Sequence, residues 1–199
     1  MYQSIPNAKE VEGSVKCFND LYAGRGMSVR IKEYNEELKK RFEVEKERLR
    51  NILGDGMMVE HVGSSAVGIG GKNIVDILVG VEETDEMVPV RDLLESAGYR
   101  EGHDTHPERI FMAFRMDDDG TDRETGEGDY HVHIVVNGSE ECMNMIRLRN
   151  FLRANPVEAK KYFEMKAVFA KEAGYDRKMY KALKSKYVSE LIRKAADLS

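Results

Sequence analysis

The fold of this chain is decided by the stretch Glu60-His61-Val62-Gly63-Ser64-Ser65 and, after a glycine-rich link, by Lys72-Asn73-Ile74-Val75-Asp76-Ile77-Leu78-Val79. The first stretch predicts an apolar strand that ends in a Gly-Ser turn. The second predicts a strand that is apolar on both faces except for the carboxylate of Asp76. Such strands usually lie in the middle of a sheet covered by helices. The two stretches together therefore predict a mixed α/β protein.

The turn and the strand carboxylate are the first candidate site residues. Glycine at Gly63 lets the backbone approach an anion closely, and the hydroxyl and amide groups of Ser64 and Ser65 can bond phosphate oxygens. A carboxylate inside an apolar strand is costly to bury unless it is paired or binds a metal. We expect Asp76 to line a cleft; the alternative is that it accepts hydrogen bonds within the core. This order of strand, Gly-Ser turn and carboxylate-bearing strand is typical of nucleotidyltransferase sites.

Histidines form the second candidate cluster. Alternation along a strand places His131 and His133 on one face, where both can bind a divalent metal together with a carboxylate. The alternative is that one or both only hydrogen-bond within the fold. His61 precedes the Gly-Ser turn, so it joins Asp76 at the same metal if the strands are neighbours. We expect Mg or Mn as the cofactor, with Zn as a further alternative, and Asp76 and His133 as the catalytic residues.

Basic side chains are further candidates for phosphate contacts. Arg109 and Arg115 flank an aromatic strand, and either can clamp a phosphate with two hydrogen bonds. Lys72 stands just before the strand that carries the carboxylate and is also a candidate. The alternative for each is an ordinary solvated surface residue, which is how we interpret His103 and His106.

Periodicity of the apolar residues predicts the element order α-β-β-α-β-β-β-α-α-α. We expect one domain over residues 31–199, with a mixed sheet followed by three helices from about residue 140, and a partly ordered arm over 1–30. The expected elements are helices 35–53 and 85–97, strands 57–62, 73–81, 99–102, 109–116 and 129–136, a loop over 63–71 and a polar hairpin loop over 117–128. The three C-terminal helices are expected to begin at the caps Ser139, Asn155 and Asp176.

Composition excludes several classes of protein. Hydrophobic residues make up 41% and charged residues 34% of the 199 residues, which is typical of soluble globular proteins. No apolar run approaches the ~20 residues of a membrane span, and the first residues lack the pattern of a secretory signal. Cys17 and Cys142 have no metal or redox spacing, so we expect a reduced, cytoplasmic location.

Charge is distributed unevenly along the chain. The net charge is −5, yet the segment from residue 146 onward is basic and the rest is acidic. A basic segment can attract phosphates or an acidic partner, although solvated helix faces also explain it. Its tyrosines recur at helical spacing, which is typical of core residues rather than of base-stacking platforms. Nucleic acid is therefore not an expected partner, whereas a nucleotide or another phosphorylated small molecule is.

With these motifs in hand, the chain resembles the GrpB-like family of bacterial proteins from about residue 31 to residue 194. The motifs that carry the resemblance are Glu60 to Gly68, Lys72 to Ile77, Arg109 before an aromatic strand, His131-Val132-His133, Leu148 to Pro156, and Tyr180 to Lys184. The resemblance implies a nucleotidyltransferase-like fold. It also implies that a similar domain occurs fused to dephospho-CoA kinase in some bacteria.

Departures from catalytic nucleotidyltransferases bear on the expected function. Those enzymes carry two carboxylates two positions apart on the strand, and a third on a later strand, to hold two metal ions. Here Ile74 stands two positions before Asp76, and His133 stands where the third carboxylate is expected. Gly68 and Asn73 replace prolines that are frequent in the family. One carboxylate with histidines favours a single, softer ion.

Three functions follow as hypotheses. The first is nucleotidyl or phosphoryl transfer from a nucleoside triphosphate to an acceptor. The second is a binding module for a nucleotide, a CoA-like molecule or another phosphorylated ligand, without turnover. The third is an interaction protein that uses its basic helices.

Overall fold

The structure is a computed structural model that describes residue 29 and residues 31–102, 106–114 and 130–197. Its helices are α1 (Glu37–Leu53), α2 (Gly63–Val67), α3 (Met87–Ser96), α4 (Glu140–Ala154), α5 (Pro156–Glu172) and α6 (Arg177–Ala196), with a 3-10 turn at Thr84–Glu86. Its strands are β1 (Met58–Val62), β2 (Val75–Val81), β3 (Arg100–Glu101), β4 (Ile110–Phe114) and β5 (Tyr130–Val136). The expected hairpin loop, nearly all of the expected N-terminal arm, Cys17, His103 and Arg115 lie outside the described residues.

A mixed sheet forms the centre of the fold, in the strand order β1-β2-β5-β4-β3. The pairing of β2 with β5 is parallel, and the other three pairings are antiparallel. The long apolar run of β2 lies between two neighbours and is buried almost throughout, as its sequence predicted. The expected mixed α/β fold with three C-terminal helices is therefore confirmed.

Helices cover both faces of this sheet. The first face packs against α1 and α3 in the largest apolar cluster, through side chains such as Ile77 and Val132. The second face carries Leu78 and Val135, which pack with Cys142 of α4. Since alternate residues of a strand point to opposite faces, Asp76 belongs to the second face with Leu78. The candidate site therefore opens on the side of the C-terminal helices.

The glycine-rich link between α2 and β2 is held between the sheet and these helices. Val67 and Ile69 pack against a cluster formed by α4, α5 and α6. Lys32 and Gly71 exchange two backbone hydrogen bonds, with N···O distances of 2.6 and 2.9 Å.

Within the described ranges, no helix is long and apolar enough to cross a membrane.

Two local predictions differ from the structure at the glycine-rich link. Residues 63–67 were expected to be loop but form the short helix α2. The sequence does not indicate this helix, because a run of small residues shows no apolar periodicity. Strand β2 begins at Val75 rather than residue 73, because Asn73 has a left-handed backbone (φ 66°) that ends the link in a turn.

The three C-terminal helices begin at the expected caps, Ser139, Asn155 and Asp176. The Ser139 hydroxyl accepts a hydrogen bond from the Cys142 amide, and the Asp176 carboxylate accepts one from Met179. Asn155 is the N-cap of α5, and Pro156 begins that helix, as expected. Its side chain makes no capping hydrogen bond and instead donates its amide to the carbonyl of Phe151 at 2.8 Å.

Candidate functional site

Asp76 meets both histidines of β5 on one face of the sheet. The parallel register places Asp76 opposite His131, and alternation places His133 on the same face. Asp76 Oδ1 lies 3.4 Å from His131 Nδ1 and 3.7 Å from His133 Nε2. The Asp76 side chain is 28% exposed and also accepts hydrogen bonds from both histidines, so it combines partial exposure with the hydrogen bonding that was the alternative expectation.

Gly63 brings the backbone of the turn against this carboxylate. Its φ of +70° is a conformation that side chains rarely adopt. A Cβ added at Gly63 would stand 2.9 Å from both Cβ and Cγ of Asp76, and closer still to Oδ2. The chain therefore needs glycine here for two reasons, the backbone angle and the close approach of Asp76.

The electrostatics of the cluster keep the carboxylate ionised. Burial alone would raise the pKa of Asp76, but interactions with His131 and His133 outweigh burial and hold that pKa far below its usual range. Burial lowers the pKa of His133, although the charge of Asp76 opposes this. His133 Nδ1 is buried and has no hydrogen-bond partner within the described part of the chain. The site thus combines a carboxylate anion with a neutral imidazole.

Phe111 of β4 fixes the orientation of both imidazole rings. Its ring packs edge-on against His131, with centroids 4.8 Å apart, and tilted against His133, with centroids 5.5 Å apart. Since the register pairs Phe111 with His133, the aromatic side chain lies directly beside the two histidines on the same face. The aromatic strand expected from the sequence therefore forms one wall of the site.

Arg109 is placed beside the site but bonds to a protein carboxylate. Its guanidinium forms an ion pair with Glu141 in the first turn of α4, and Glu141 also lies 3.4 Å from His106 Nε2. The positive charge of Arg109 contributes to the lowered pKa of His133, so the two side chains are near each other. Its expected role as a phosphate ligand stays a prediction. In that role, phosphate would have to displace the Glu141 carboxylate from the Arg109 guanidinium.

His61 does not join this cluster, contrary to the expected convergence. It pairs in register with Ile77 and therefore lies on the opposite face of the sheet from Asp76. Its ring stacks on Phe42 of α1, with centroids 4.3 Å apart, and its Nε2 lies 3.0 Å from the Ser65 hydroxyl. Burial lowers the pKa of His61 to about 4. The geometry thus directs the Ser65 hydroxyl to His61 rather than toward Asp76.

Lys166 of α5 is a site residue that was not expected from the sequence. Its ammonium donates hydrogen bonds to the Ser64 hydroxyl, at 2.8 Å, and to the Gly70 carbonyl. The side chain is buried, which lowers its pKa, whereas the negative charge of Asp76 raises that pKa. The sequence does contain one indication of its burial. Lys166 lies four residues after Tyr162 and three before Phe169, on the buried stripe of the helix.

Lys72 lies at the edge of the same region. Its ammonium stands 5.5 Å from the centre of the Tyr180 ring on α6, a cation–π contact. The residue follows Gly71 directly, so it lies where the glycine-rich link meets the C-terminal helices. Its expected role in phosphate binding stays a prediction.

Solved structures that resemble this protein support the same fold. The conserved protein GrpB from Enterococcus faecalis is 27% identical, with a TM-score of 0.68 over 83% of this chain and 96% of that chain. A chain in the structure of the GLD-2/RNP-8 complex is 14% identical, with a TM-score of 0.53 over 89% of this chain and 62% of that chain. At that identity the likeness concerns the fold alone, which is nucleotidyltransferase-like as expected.

Sequence relatives come from several bacteria. A UPF0157 protein of Halalkalibacterium halodurans is 34% identical over 175 residues, which cover 84% of this chain and 83% of that protein. The glutamate-rich protein GrpB of Alkalihalophilus pseudofirmus is 29% identical over 164 residues, which cover 80% of this chain and 91% of that protein. The family model described as GrpB protein matches residues 28–194. The chain therefore belongs to the GrpB family.

Proposed function

We propose that this protein binds a nucleoside triphosphate together with a divalent cation and transfers a nucleotidyl or phosphoryl group to an acceptor. The contact between Gly63 and Asp76 carries the proposal, because it joins a backbone able to approach phosphate with a carboxylate able to hold a cation. The partly buried Ser64 hydroxyl follows directly on this turn. A nucleotide phosphate and its cation would therefore meet at one place.

The donor groups fit a cation that arrives with the nucleotide. Across the described ranges, no group of three or more His, Cys, Asp and Glu side chains is arranged to hold a metal by itself. Magnesium and manganese need only one or two carboxylates when phosphate oxygens supply other ligands. Asp76 provides that carboxylate, and His131 Nδ1, which lies 3.4 Å from it, is a nitrogen that suits a softer ion. The bound cation would neutralise phosphate charge.

His133 is the proposed base. Its lowered pKa keeps the imidazole neutral near pH 7, and a neutral imidazole can accept a proton from an acceptor hydroxyl. Phe111 holds the ring in place. Exchange of His133 for Asn is expected to slow transfer more than it weakens nucleotide binding.

Ile74 favours a second candidate function, nucleotide binding without turnover. Catalytic nucleotidyltransferases carry a carboxylate at the corresponding position of the strand. Ile74 is instead apolar and buried. It cannot ligate a second metal, which ordinary two-metal transfer requires. A single-cation site of this kind is compatible with a binding module for a nucleotide or a CoA-like molecule.

Calorimetric titration tests the proposal. The purified protein is titrated with ATP, GTP, CTP, UTP and CoA, each with Mg or Mn, and compared with Asp76→Asn. Asp55→Asn is the matched control, because Asp55 lies in an exposed turn. Binding lost only in Asp76→Asn supports the site, and absence of binding by every nucleotide refutes it. Incubation of labelled nucleotide for hours, with product analysis, then separates transfer from binding alone.

A further inference from the structure

Lys166 is a buried lysine whose hydrogen-bond partners are neutral. Its side chain is 2% exposed, and its ammonium donates to the Ser64 hydroxyl and the Gly70 carbonyl. An ammonium has three donors, and these two contacts use two of them. Within the described residues, no carboxylate lies in ion-pair distance of Lys166. Burial of a charge without a counterion is costly, and the cost is relieved either when the amine loses its proton or when an anion binds beside it.

Aromatic rings and a second lysine complete the surroundings. The ammonium stands 4.8 Å from the centre of the Tyr162 ring and 5.7 Å from that of Phe163. Burial raises the pKa of Tyr162, and its interaction with the Ser64 side chain opposes this, so Tyr162 and Lys166 both act on the same hydroxyl. Burial and, to a smaller extent, the charge of Lys184 lower the pKa of Lys166 to about 7, although the charge of Asp76 opposes this. Lys184 of α6 therefore lies close enough to Lys166 of α5 for the two amines to repel each other.

We propose that Lys166 and Ser64 form an anion subsite that binds the terminal phosphates of a polyphosphate chain. This inference rests on the proposed nucleotide site, since Ser64 directly follows the glycine that contacts Asp76. Phosphates held there would replace the neutral partners of Lys166 with a charged one. The protein would then select ligands by their number of phosphates, so triphosphates bind more tightly than monophosphates.

The inorganic series phosphate, pyrophosphate and tripolyphosphate tests the subsite without a nucleoside. Each anion is titrated calorimetrically into the protein in the presence of a metal chelator. Affinity is expected to rise along the series. Lys166→Met is expected to weaken tripolyphosphate binding about ten- to hundredfold, the range for loss of a hydrogen bond to a charged group. Lys161→Met is the matched control, since Lys161 lies exposed on the same helix and is expected to bind as the wild type does.

A second variant separates this subsite from the proposed cation site. Without metal, the Asp76 carboxylate repels phosphate, so Asp76→Asn is expected to bind tripolyphosphate as tightly as the wild type or more tightly. If Lys166→Met binds tripolyphosphate like the wild type, or if the wild type does not bind it, the subsite is refuted. If tripolyphosphate binds through Lys166 but no nucleotide binds, the subsite stands and the proposed function fails. Melting curves of Lys166→Met, expected to be no lower than those of the wild type, exclude unfolding as the cause.

Discussion

Exchange of Gly63 for alanine is the most informative single perturbation of the site. The added methyl group would stand 2.9 Å from Cβ and Cγ of Asp76 and closer to Oδ2, distances that real Cβ atoms do not show. Either the carboxylate or the turn must move. Gly63→Ala is therefore expected to destabilise the protein and also to displace the group proposed to hold the cation.

The magnitude has two parts that a control variant can separate. A left-handed backbone costs a non-glycine residue about 1–2 kcal/mol. Overpacking at a filled position costs about 1–3 kcal/mol more. Gly138 has nearly the same φ, +71° against +70°, but nothing lies within 4 Å of its added Cβ. Gly138→Ala should therefore show the backbone cost alone, and Gly63→Ala the sum, about 2–5 kcal/mol.

Urea denaturation of the two variants provides the measurement, with nucleotide titration as the second readout. Gly63→Ala is expected to lose metal-dependent nucleotide binding, whereas Gly138→Ala retains it. The excess cost of Gly63→Ala should shrink by about 1 kcal/mol in an Asp76→Ala background, because the nearest atoms of the clash are gone. Equal destabilisation by Gly63→Ala and Gly138→Ala, or an excess that does not shrink when the carboxylate is removed, would refute the reasoning.

Three further predictions concern stability. The pKa of His61 is about 4 in the folded protein and 6.5 unfolded, so its neutral form contributes stability above pH 6.5 that is lost as the pH falls toward 4. In urea denaturation, the free energy of unfolding of the wild type should fall by up to roughly 3 kcal/mol more than that of His61→Gln over this pH range. Lys166→Met should raise the urea midpoint at pH 6. This gain in stability over the wild type should narrow as the pH rises from 7 to 10.5, because in that range the folded lysine has lost its proton while the unfolded lysine still binds one. Arg149→Met removes hydrogen bonds to Glu60 and the His61 carbonyl and should cost about 1–3 kcal/mol, whereas exposed Arg193→Met costs little.

Several parts of the fold and site could be predicted because they depend on local pattern. The unbroken apolar run around Asp76 identified a central strand and its single carboxylate. Alternation along β5 placed His131 and His133 on one face, as the register confirms. In contrast, the partner strand of β1 is not encoded in any short pattern. The register Val62↔Asp76 places His61 on the other face, and no local pattern indicates that register.

Other parts depend on contacts between residues far apart in the chain. The ion pair of Arg109 with Glu141 joins β4 to α4, and nothing at either position indicates the other. Lys166 bonds to Ser64 across 102 positions of sequence. Its place on the buried stripe of α5 was readable, but a lysine in a basic segment is usually solvated, so the charge pattern concealed it.

The central claim is that Asp76 holds a cation that also contacts the bound nucleotide. Coupling between the two ligands measures this directly, because a shared contact makes each bind more tightly in the presence of the other. ATP affinity is measured calorimetrically with Mn and with a metal chelator, for the wild type and for Asp76→Asn. We predict that Mn strengthens ATP binding at least about tenfold in the wild type and hardly at all in Asp76→Asn. The same strengthening in both proteins would contradict the account.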